Sequence, residues 1–181
     1  LALAGCVSVV RPPAGVREPV RVFVVDYGYH SALFVPREGG GLREYAFGEW
    51  EWFALERDAL VRAPGALLVP SRGALGRRDW STDEPPMREG VHALEVERER
   101  VSALAARLDA EFTARAAERH EARGMEFVPS AERYSAARHC NTATVEWLRE
   151  LGARVNRATL VARFEVRPEA SDERPAQPRA E

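Results

Sequence analysis

The chain has 181 residues, 45% of them hydrophobic and 30% charged, as expected of one globular domain with its own core. Its 26 basic and 28 acidic residues leave a net charge of −2, and every basic residue is Arg. Arginines scattered among carboxylates create no basic field, which argues against a nucleic-acid partner.

At the start, Leu3-Ala4-Gly5-Cys6 resembles the bacterial lipobox, in which an apolar residue and two small ones precede a cysteine. Residues 1–5 then read as the end of a signal peptide, and Cys6 as the lipid-modified first residue of the mature protein. The expected partner is a membrane, reached through that lipid at the periplasmic face of a bacterial envelope. No later stretch approaches the ~18 apolar residues that span a bilayer. Residues 6–19, "CVSVVRPPAGVREP", read as a lipidated N-terminus and a Pro- and Gly-punctuated linker. With Cys6 committed to lipid, Cys140 is an unpaired thiol in an oxidising compartment.

Residues 20–166 are expected to form a single domain. "VRVFVVDYG" (20–28) is a near-continuous apolar, β-branched run and predicts a strand buried on both faces. "YHSALFVP" (29–36) predicts a second strand, ended by Pro36, and "REGGG" (37–41) a turn. "LREYAFGEWEWF" (42–53) predicts a third strand that passes into a short helix or loop. "GALLVPS" (65–71) is a short strand candidate followed by a polar stretch. "GVHALEVE" (90–97) alternates and predicts a strand.

Val101, Leu104, Ala105, Leu108 and Phe112 share one helical face, the strongest helix signal in the chain. Residues 120–138 look irregular. "CNTATVEWLREL" predicts a helix from about residue 140, with Gly152 as its stop. Residues 157–166 suggest a last short element, and 167–181 have the composition of a disordered tail. Strands first and helices later make an α+β pattern.

Cys140 carries the chemical question. Free N–H groups and the dipole at a helix start favour a thiolate. A nucleophilic cysteine also needs a base, and the chain offers His30, His92, His120 and His139. His139 is adjacent but points about 100° away on a helix, His120 ends a charged helix, and His92 sits in a mixed strand. His30 opens a strand beside apolar sequence and, on period-two counting, shares a face with Ala32 and Phe34, where a helix can pack. Equally, Cys140, Thr144, Val145, Leu148 and Leu151 trace an ordinary buried helix face. Tyr27, Tyr29, Trp50 and Trp52 are either core or the lining of a groove. Asn141 reads as a helix cap rather than a site residue. The glycines at 39–41 lack the context of a phosphate loop, and the histidines and cysteines show no metal-ligand spacing; neither cofactor nor metal is expected.

In order and spacing, "VFVVDYGYHSALFVP", "YAFGEWEWF", "ALLVPSRGAL" and "YSAARHCNTATVEWLRELGARVN" resemble an uncharacterised bacterial envelope family sometimes found near urease genes. The resemblance covers roughly residues 20 to 160. That family is similar to circularly permuted papain-like enzymes, the cell-wall amidases and lecithin-retinol acyltransferases. The resemblance implies a permuted papain-like fold, an antiparallel sheet packed on a cysteine-bearing helix. It implies Cys140 as nucleophile, His30 as general base, and an orienting acid at Glu51. The family's Trp-Gly before the acid is replaced here by Glu49-Trp50, which makes Glu49 a rival; Ala143 and Ser31 also depart from the pattern. The expected function is a lipid-anchored envelope amidase, peptidase or acyltransferase acting on cell-wall peptide or an acyl compound. The competing class is a non-catalytic envelope binding or scaffolding lipoprotein. A third reading is a dimer cross-linked through Cys140.

Overall fold

The computed structural model describes residues 7–57, 69–87 and 89–168. A seven-stranded sheet runs through it. Its strands are β2 (Pro19–Asp26), β3 (Ser31–Pro36), β4 (Leu42–Glu49), β5 (Ser71–Trp80), β6 (Val91–Glu97), β7 (His120–Ala122) and β8 (Met125–Tyr134). The order across the sheet is β6-β2-β3-β4-β5-β8-β7, and every pairing is antiparallel. The α+β class expected from the sequence is what the chain adopts.

Both faces of this sheet are covered. On one side Val22, Val24, Leu33, Val35, Tyr45 and Leu75 meet two helices, α1 (Arg98–Ala114) and α2 (Cys140–Glu150). On the other, Phe23, Val25, Ala32, Phe34, Ala46 and Phe127 meet a π-helical turn at Trp50–Ala54 and its neighbours. This explains the unbroken apolar run of β2, since alternate residues serve two cores and neither face can be polar. Each such side chain contributes roughly 1.5–3 kcal/mol of burial. In α1 the buried positions are Val101, Leu104, Leu108 and Phe112, the predicted face. Past α2, Gly152 takes φ +90° and Ala153 N donates to Leu148 O at 3.0 Å, which stops the helix.

Four segments differ from expectation. Ser8–Arg11, assigned to the 6–19 linker, is a strand (β1) lying between β9 (Arg154–Val155) and β10 (Phe164–Val166) in a second, three-stranded sheet. The folded body therefore begins at Ser8 rather than at residue 20. The polar stretch after residue 71 is β5, and the segment read as irregular is the hairpin β7–β8, turned by Arg123 and Gly124 at positive φ. His30 stands just outside β3, whose ladder with β2 begins at Asp26–Ser31. Most of the predicted strand 65–71 and of the tail 167–181 lies outside the described residues, as does Cys6. Among the described residues no helix is long and apolar enough to cross a membrane.

Candidate active site

The site forms where the β2–β3 loop, the end of β8 and the start of α2 converge. Asp26 Oδ1 accepts from Gly28 N at 2.6 Å and Tyr27 N donates to His30 O at 2.8 Å, which closes the loop tightly. Gly28 supplies the φ of +86° that this turn requires. The α2 N-terminus is held by Thr142, whose Oγ1 accepts from His139 N at 2.7 Å. His139, not Asn141, is the cap residue.

Cys140 is 6% exposed. Its thiol donates to Tyr29 O at 3.6 Å. The backbone N–H groups of Ser31, Asn141 and Cys140 point at the sulfur, and the Tyr134 hydroxyl faces it as a further partner. These donors favour the thiolate, as the sequence anticipates. Burial outweighs them, however, and holds the thiol above its ordinary value. At pH 7 this holds the sulfur as a thiol.

His30 lies across the same cleft. On period-two parity it belongs with Ala32 and Phe34, which face away from α2; Ser31, Leu33 and Val35 face the helix. The imidazole reaches the cysteine's cleft only because it sits at the open end of the sheet. Its ring packs at 4.5 Å from Phe53 and 5.9 Å from Tyr27. Burial first, and then the Arg123 guanidinium, lower its pKa to about 4. Thiol and imidazole therefore line one cleft, both neutral at pH 7.

The two acids separate clearly. Glu49 is 5% exposed and lines the cleft, with its Oε2 accepting from Trp52 N at 2.7 Å at the start of the π-helical turn. Glu51 pairs with Arg57 at 3.5 Å and is not among the cleft's lining residues. Among the described residues no side chain hydrogen-bonds to the His30 ring, so aromatic packing orients it. Tyr27 in turn is anchored by donating to Glu44 Oε1 at 3.0 Å, and Glu44 is buried against Arg78 and Trp80.

Asn141 is wholly buried. Its Nδ2 donates to Thr159 O at 2.8 Å and Leu160 O at 3.0 Å, and its Oδ1 accepts from Ser31 Oγ at 2.8 Å. It ties the 159–160 loop to the helix start, a role that the cap reading misses. Phe53, Arg123 and Tyr134 also escaped the sequence. Arg123 and Tyr134 lie on the unrecognised β7–β8 hairpin, where the alternating Ala122, Met125 and Phe127 around Arg-Gly was the available signal.

The cleft encloses about 250 Å³, lined by Tyr27, Tyr29, Phe53, Trp52, Arg123 and Tyr134 around Cys140 and His30. A larger groove of about 570 Å³ runs beside β6 past Pro12 and Pro13; its lining has Arg21 and Glu95 but no Cys, His, Ser or Thr. Among the described residues no three His, Cys, Asp or Glu side chains are grouped to hold a metal ion. A thiol ringed by hydrogen-bond donors, in one cleft with a neutral imidazole, is suited to acyl transfer. The chain matches no protein-family model, no curated protein and no solved structure.

Proposed function

We propose that the protein is a cysteine hydrolase or acyltransferase of the bacterial envelope, with Cys140 as nucleophile and His30 as general base. One observation carries this reading: a buried thiol at a helix N-terminus shares an aromatic cleft with a neutral imidazole. His30 takes the thiol proton as sulfur attacks an amide or ester carbonyl. The leaving amine or alcohol departs with that proton, and a thioester remains on Cys140. Water, or an acceptor amine or alcohol, then attacks the thioester with His30 again as base, and the thiol is restored. The α2 N–H groups and the Tyr134 hydroxyl are the donors available to the oxyanion.

The His-before-Cys order on an antiparallel sheet supports a permuted papain-like arrangement. Of the two candidate acids, Glu49 has the better position and acts on the π-helical turn and Tyr134 rather than on the imidazole. The Leu3-Ala4-Gly5-Cys6 motif supports lipid anchoring at the periplasmic face, where cell-wall peptide or an acyl compound is the substrate.

The test is acylation by p-nitrophenyl acetate followed by intact mass. The expected product is one acetyl group on Cys140, absent in Cys140→Ser and formed about 10²- to 10⁴-fold more slowly in His30→Ala. Equal acylation of wild type and His30→Ala removes the general-base assignment. A Cys140 that is acylated only after unfolding assigns the chain to the other class, an envelope binding module, which the raised thiol pKa favours.

A further inference from the structure

Large apolar side chains rarely stand free on a folded chain, and here, Val69 apart, those of the described residues fall on two loops. Tyr27, Tyr29, Leu160 and Val161 are exposed, Tyr29 at 81% and Leu160 at 62%. They come from two loops that are joined to one another: Ala162 N donates to Gly28 O at 2.8 Å. Asn141 holds the second loop from beneath through the carbonyls of Thr159 and Leu160, so the loop is rigid while its side chains point outward. Tyr27 and Tyr29 also line the cleft, and the patch therefore borders its mouth.

Two further features say what covers it. Exposed Arg157 and Arg163 bracket Leu160 and Val161, giving an apolar tip with a basic collar. The chain also enters the fold here, since Ser8 N donates to Arg163 O at 2.8 Å and Ser8 Oγ lies 3.4 Å from Thr159 Oγ1. Ser8 is thereby fixed beside the patch. Leu and Val side chains on a fixed loop, tyrosines beside them and arginines around them match the interface of an anionic bilayer.

We infer that the 27–29 and 159–161 loops form a membrane-contact surface that seats the mouth of the cleft on an anionic lipid bilayer. Taken with the catalytic reading of Cys140, on which this part rests, the substrate is a carbonyl compound carried at the lipid surface. Contact with lipid itself does not depend on the chemistry.

The experiment uses the full chain with Cys6→Ser, which removes any lipid from the N-terminus. It is sedimented with vesicles of phosphatidylcholine alone or mixed with phosphatidylglycerol. Binding is expected to the phosphatidylglycerol vesicles, weakening as salt rises. Leu160→Glu with Val161→Glu should lower the bound fraction at least tenfold, whereas Ala110→Glu on the solvated face of α1 should leave it unchanged. No binding by the Cys6→Ser chain, or binding indifferent to the double substitution, overturns the proposal. So does a double variant that only dissociates a dimer, because the patch then fits a second copy of the chain. Acylation of Cys140 without vesicles reports separately on the catalytic reading, so either can fail alone.

Discussion

Replacing Asn141 distinguishes a tie from a cap, because the two roles give opposite signs for one substitution. As a residue of the first turn of α2, an Asp at this position would gain about 0.3–1 kcal/mol from the helix dipole. In the structure, however, the amide nitrogen donates to Thr159 O and Leu160 O, and the position is wholly buried. Asn141→Asp turns both donor contacts into oxygen-against-oxygen contacts and buries a charge. Asn141→Ala deletes three hydrogen bonds to oxygen at about 1 kcal/mol each, roughly 3 kcal/mol in all, and the weak contact that the Cys140 thiol donates to Oδ1 at 3.6 Å. For a chain of this size that corresponds to a fall in Tm of about 10 °C. Urea unfolding at pH 7 should rank wild type above Ala, and Ala level with or above Asp. The Asp variant should recover in part as acid protonates its carboxyl group. An Asp variant at least as stable as wild type at pH 7 would refute the tie.

Four other outcomes are expected. Because burial raises the Cys140 thiol, iodoacetamide should modify the folded chain at a rate that climbs past pH 9, and a midpoint near 7 would contradict the burial argument. The folded pKa of His30, about 4, lies below its unfolded value of 6.5, so it has no effect on stability above pH 7. As pH falls from 6.5 to 4 the unfolded chain takes up a proton that the folded chain refuses, which costs up to about 3 kcal/mol; His30→Phe should abolish that acid limb. Glu44→Ala leaves the Arg78 guanidinium and Trp80 Nε1 without their buried acceptor, for a loss of about 3 kcal/mol and a change in Trp80 fluorescence. Finally, a Cβ on Gly48 would stand 2.7 Å from Phe53 Cγ, so Gly48→Ala should push Phe53 off His30 and slow Cys140 acylation more than it lowers stability.

The elements legible in the sequence are those whose burial is plainly apolar. β2, β3, β6 and the buried faces of α1 and α2 follow directly from period and run length. β5 was hidden because its arginines do the pairing that apolar side chains do elsewhere: Arg77 reaches Asp109 and Glu126, and Arg78 reaches Glu44. A strand written in salt bridges looks like a loop. β8 was hidden by Pro129 and by the register shift opposite Arg72 and Ala74. At the site, composition located Cys140, His30 and the tyrosines. Period-two counting then put His30 on the wrong side of the sheet relative to α2, since counting carries no information about where a ladder ends. The balance between helix N–H groups and burial at Cys140 is likewise a three-dimensional quantity, and burial prevails.

The short strand at Ser8–Arg11 has a consequence for the order of events in synthesis. It is the middle strand of its sheet, and both partners, Arg154–Val155 and Phe164–Val166, lie near the far end of the chain. A growing polypeptide has nothing to pair it with until residues 154–166 have been made. Ser8–Arg11 therefore stays unpaired until then and joins its sheet late. Once it joins, segments more than 140 residues apart in sequence are fastened together, and cutting the protein back to residue 20 would leave two strands with an empty place between them.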